Sequence, residues 1–185
     1  MTRRLLCLLA LAATGVFSTT LEKLALDDMI VKSTEIVRGR VSSIASLRRG
    51  ALILTQARVT VSERWKGPEA SSVDVFLHGG TFQGLRQTFS GTPELREGAE
   101  YVFFLWAGKS GSRQIIGLSQ GVLDIQVSAP AGGAPTGSVG LMAHRAAIAD
   151  MVDRGTGQQV DDPGFAIPIN QLRTRVKHVL GLERQ

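Results

Sequence analysis

At 185 residues the chain is about one domain long, and a 43% hydrophobic content is enough to bury a sizeable core. Few aromatics and 21 glycines suit short strands and turns and argue against a helical bundle. The net charge of +5 includes Arg3 and Arg4; without them it is +3 (5 − 2), compatible with nucleic acid or an anionic surface but diagnostic of neither.

Residues 1–18, MTRRLLCLLALAATGVFS, read as a signal peptide. Arg3 and Arg4 form its charged start, and the apolar run from Leu5 to Val16 is long enough for a leader and too short to span a bilayer. Val16-Phe17-Ser18 is a plausible cleavage site, with Ala13 and Gly15 as nearby alternatives. The alternative is a membrane anchor that is never cut; with cleavage Cys7 is expected to leave with the leader, and the exported chain would then have no cysteine, no disulfide staple and no transmembrane segment.

A short amphipathic helix is expected over 19–34, with Thr19 and Glu22 in a capping box and Leu21, Leu24, Ala25 and Met29 at helical spacing. The period then switches to two. Val37, Gly39 and Val41 alternate with Arg38, Arg40 and Ser42. In the long run after Ala51, Ile53, Ala57, Val59, Val61 and Trp65 share one face, while Gln56, Arg58, Thr60, Ser62, Arg64 and Lys66 share the other. Gly67-Pro68 ends this strand. SVDVFLH follows, with Val73, Val75 and Leu77 on one face, and then a glycine-rich loop from His78 to Pro93. YVFFLWAG is apolar on both faces and reads as a central strand. RQIIGLSQGVLDIQVS supplies one or two more strands. Residues 129–140 form a flexible, low-complexity loop, and 141–185 a helical segment. In that segment LMAHRAAIADMVDRG is of modest amphipathicity, and PINQLRTRVKHVLG is a clear helix capped by Gly181.

Two stretches resemble catalytic machinery. Gly117-Leu118-Ser119-Gln120-Gly121 has the form of a nucleophile elbow, and LHGGTFQG that of an oxyanion strand-end; Asp150 and His178 follow in the order of a Ser–Asp–His triad. An elbow needs a helix behind its serine, whereas VLDIQVS alternates as a strand. The simpler expectation is a bend permitted by Gly117 and Gly121. The histidines His78, His144 and His178 are scattered, with no metal-ligand spacing, and no phosphate-binding glycine loop is present, so neither a metal nor a cofactor is expected.

The layout TEIVRGRVSSI, ARVTVSERWKG, SVDVFL, ELREGAEYVFFLW, from about Glu35 to Val127, resembles the netrin/TIMP-like version of the OB-fold in uncharacterised exported bacterial proteins. The resemblance rests on Val37, Gly39 and Val41, on Trp65-Lys66-Gly67, and on Gly98, Tyr101, Phe104 and Leu105. It implies a mainly β protein, an OB-fold-like antiparallel barrel over 35–128, with a short helix before it and one or two after. The inhibitors of that family chelate zinc through an N-terminal cysteine, which the exported chain lacks, so their mechanism does not carry over. The function expected is a non-enzymatic binding module for an exported protein or the cell surface. Its candidate surface is the loop of His78, Gly79, Gly80, Thr81, Phe82, Gln83, Gly84, Leu85 and Arg86, with Phe82 and Leu85 either exposed or folded back as a plug. The alternatives are a small secreted serine hydrolase using Ser119, and a single-stranded nucleic-acid binder. The last lacks an aromatic partner for Arg58 and Arg64 on the long strand.

Overall fold

The computed structural model describes residues 21–109, 111–128, 140–153 and 155–182. In chain order the elements are β1 (Leu21–Glu22), α1 (Leu26–Lys32), β2 (Glu35–Arg49), β3 (Leu52–Lys66), β4 (Ser72–His78), β5 (Gly80–Phe82) and β6 (Leu85–Gln87). Then come β7 (Glu100–Ala107), β8 (Arg113–Ile115), a 3-10 turn (Leu118–Gly121), β9 (Val122–Ser128), β10 (Gly140–Arg145), β11 (Ile148–Val152), β12 (Gln159–Asp162), β13 (Phe165–Pro168) and α2 (Ile169–Val179). The protein is mainly β, as the period-two alternation from Glu35 onward leads one to expect. The expected signal peptide at 1–18 and residues 129–139 of the expected loop lie outside the described residues.

Eight strands form one sheet in the order β13-β10-β9-β7-β2-β3-β4-β8, with β8 also paired to β7. Its pairings are antiparallel except β4–β8, which is parallel at Val75 and Arg113. β1, β11 and β12 make a smaller sheet, and β5 and β6 a two-stranded hairpin. Two cores lie on opposite faces of the large sheet, because successive residues of β7 alternate between them. Tyr101, Phe103 and Leu105 join Val37, Val41, Ala57, Val59, Val73, Val75 and Leu77 in the first. Val102 and Phe104 join Met29, Ile30 and Ile36 with Ile169, Leu172 and Val176 of α2 in the second. The strand expected to be apolar on both faces is therefore the one buried on both.

The β2–β3 ladder carries register shifts that the alternation does not reveal. Arg38 faces Glu63 but Gly39 faces Val61, leaving Ser62 as an extra residue that reverses the faces beyond it. Trp65 consequently packs against the second core, while Val61 packs against the first. Arg64, expected on the polar face, is instead buried against Glu35. At Gly39 the neighbouring strand leaves no room for a side chain: a Cβ there would lie 2.7 Å from Val59 Cγ1 and press on the Thr60 carbonyl. Gly39→Ala is expected to cost about 2–4 kcal/mol in urea denaturation, as overpacking against backbone does. An unchanged midpoint would mean that the strands can separate there freely.

Two expectations need correction. The first helix is confined to Leu26–Lys32, with Ala25 at its N-cap and no side-chain cap. Glu22, assigned to a capping box with Thr19, lies in β1, which pairs in parallel with Met151 and Val152; Thr19 is outside the described residues. The physical reason is Gln120, whose amide holds the backbone of Glu22 and Leu24 extended. In the C-terminal segment, the stretch LMAHRAAIADMVDRG, expected as a short helix, instead supplies β10 and β11 within its described residues 141–153. β10 pairs with β9 from Gly140↔Ser128 to His144↔Asp124 and buries Ala143, so sheet pairing overrides a weak helical preference. Among the described residues one C-terminal helix remains, α2. It is tied to the sheet by Arg173, whose Nη2 lies 2.7 Å from Glu63 Oε2. Burial alone would raise the Glu63 carboxyl, but hydrogen bonds from Trp65 Nε1 and Arg38 Nη1 and the charge of Arg173 outweigh it and hold it below the usual range.

Candidate functional site

β4 ends at His78, and the next two residues must turn the chain back over the β2–β3 hairpin. Gly79 has φ +96 and Gly80 φ +137, conformations that side chains rarely adopt. A Cβ on Gly79 would lie 2.8 Å from the Gln87 carbonyl oxygen, and one on Gly80 2.7 Å from Thr55 Oγ1. The glycine pair thus lets β5 and β6 lie directly on the inner strands. Three hydrogen bonds fix them there: Gly79 N donates to Ile53 O at 2.8 Å, Ile53 N to Gln87 Oε1 at 2.7 Å, and Thr55 Oγ1 to Gly79 O at 2.8 Å. His78 meets Phe89 edge to face at 5.6 Å between ring centroids.

Between this hairpin and the segment after it lies a cleft of about 480 Å³. Of the sequence-expected surface it is lined by His78, Gly79, Gly80, Thr81 and Arg86. Phe82 is half-buried and does not line it, while Leu85 is exposed beside it. The other wall comes from Thr88, Phe89, Thr92, Pro93, Glu94 and Leu95, which carry no sequence signal of their own. The Thr92 hydroxyl is buried and has no hydrogen-bond partner. One cation, Arg86, and one anion, Glu94, face the cleft among threonine hydroxyls and apolar side chains. Such a lining recognises a ligand by orientation and shape rather than by net charge.

Comparison with known proteins returns nothing. No family model, curated protein or solved structure matches the chain.

The triad residues occupy separate parts of the molecule. Ser119 lies in the 3-10 turn between β8 and β9, where Gly117 has φ +61 and a Cβ on Gly121 would lie 2.9 Å from Ile115 Cγ2. Val122–Ser128 behind it is a strand, so the strand–turn–helix frame of an elbow is replaced by a bend between two strands. His178 is in the last turn of α2, whose buried face packs in the second core, and it lines a shallow surface depression with Arg175. Asp150 belongs to β11, and its side chain is outside the described residues. Of the arginines weighed for nucleic acid, Arg58 is held by both oxygens of Asp74 and Arg64 is buried. Among the described residues no cluster of His, Cys, Asp and Glu is placed to hold a metal, and no helix is long and apolar enough to cross a membrane.

Proposed function

We propose that the protein is an exported, non-enzymatic binding module on an OB-like barrel, with its ligand site in the cleft beside Gly79 and Gly80. The cycle of pairings β2–β3–β4–β8–β7–β2 supports the barrel reading, with its single parallel pair at β4–β8. The leader-like run of residues 5–16 supports export. The observation that carries the site is the coincidence of the cleft with the glycine loop, whose Gly79 and Gly80 backbone forms part of its wall. The partner is an exported protein or a component of the cell surface.

The test uses the protein recovered after export as bait against the secreted proteins of its own source. One stoichiometric partner is expected. Thr88→Trp, which fills the cleft from an exposed position, is expected to lower its capture about tenfold or more. Capture that is indifferent to Thr88→Trp, or no capture at all, would overturn the assignment of this cleft.

A further inference from the structure

The charges of the first half of the protein are segregated in a way the net value conceals. Between Glu35 and Glu63 the chain has no acidic residue, yet it carries Arg38, Arg40, Arg48, Arg49 and Arg58. Between Asp74 and Glu94 it again has none, and carries Arg86. The hydrogen bonds of Ile53 with Gly79 and Gln87 seat the base of the β5–β6 hairpin in the second segment close to the turn that ends the first. Arg48, Arg49 and Leu52 surround one tip, Leu85 and Arg86 the other, and Phe89 stands beside Gly79. All three arginines are exposed. So are Leu52 at 41%, Leu85 at 58% and Phe89 at 39%, three large apolar side chains in water at one end of the molecule. Arg49 lies over the Phe76 ring, 5.1 Å from its centroid.

We propose that this end docks on an anionic lipid surface. The arginines meet the head groups, and Leu52, Leu85 and Phe89 enter the boundary with the acyl chains. Basic residues near a negative surface and shallow apolar insertion reinforce each other, because neither alone gives durable attachment. Charge complementarity selects this occupant: Glu94 is the one acid lining the adjacent cleft, against three exposed arginines at the tips. The inference rests on the reading of the chain as an exported binding module and names the surface it meets.

The experiment is co-sedimentation of the exported protein with vesicles of equal parts phosphatidylcholine and phosphatidylglycerol, and with phosphatidylcholine alone. Binding is expected to the first and not to the second, and to weaken as salt is raised. Leu85→Ser is expected to lower the partition coefficient about tenfold and Arg86→Ala about fivefold, with unfolding temperatures unchanged because both side chains are exposed. Binding that persists in Thr88→Trp supports the lipid inference and separates it from the cleft. Absence of binding to the anionic vesicles at low salt overturns it. So does binding unaffected by both tip variants, and so does a captured protein that needs Leu85 while the vesicles do not bind.

Discussion

Gln120→Ala is expected to destabilise the protein by about 3 kcal/mol, because it removes a buried side chain and two part-buried hydrogen bonds to the backbone, at about 1–3 kcal/mol each. Gln120 is fully buried. Its Oε1 accepts from Leu24 N at 2.8 Å, and its Nε2 donates to Glu22 O at 2.8 Å. One side-chain amide therefore takes the place that a neighbouring strand would have, and satisfies the segment between β1 and α1 from 96 residues away. Gly117 permits the arrangement, since a Cβ there would lie 2.8 Å from Leu24 Cδ1 and 3.3 Å from the Gln120 amide nitrogen. Ser119 contributes through its backbone, donating to Gly91 O at 2.9 Å, so Ser119→Ala is expected to stay within about 0.5 kcal/mol of the parent. Urea denaturation of the two variants side by side is the measurement. Equal effects from both would refute this account of the turn.

The same turn shows how far the sequence could be read. Its two glycines and the alternating VLDIQVS behind it announce a bend between strands. They say nothing of which segment the bend grips, because Gln120 and Leu24 are joined only by the fold. The strands from Glu35 to Lys66 and the central strand YVFFLWA were legible because burial on one face, or on both, imprints a period on the residues. The register shifts at Ser62 and Trp65 were not, since a bulge adds a residue without changing the chemistry of its neighbours. LMAHRAAIADMVDRG misled because its composition suits a helix, while the open edge of β9 offered backbone partners that no local pattern records. In the candidate site, Gly79 and Gly80 were visible through their unusual dihedrals. Thr92, Pro93 and Leu95 were not, because the opposite wall of a cleft is set by tertiary return of the chain.

Removing Glu35 is expected to have the largest single effect. Its side chain is 4% exposed and bridges two guanidinium groups, with Arg64 Nη1 at 2.8 Å from Oε2 and Arg113 Nε at 2.6 Å from Oε1. Arg64 is equally buried, its Nη2 reaching the Ala70 carbonyl oxygen at 3.2 Å, while Arg113 is 29% exposed. The three residues join the start of β2, the end of β3 and β8, so they close one end of the first core. Gly67, at φ +101, lets the chain after β3 cross the carboxylate, where a Cβ would lie 2.7 Å from Glu35 Cγ. Glu35→Ala strands the Arg64 charge away from water and is expected to cost about 3–5 kcal/mol. Replacing both partners, Glu35→Leu with Arg64→Leu, is expected to recover most of that loss, because desolvation of a buried pair offsets most of its attraction. Arg113→Ala should cost the least of the three, since solvent already screens its charge. Urea midpoints of the three variants decide the matter. A double variant no more stable than Glu35→Ala would show that the ion pair contributes specific structure beyond its charge balance.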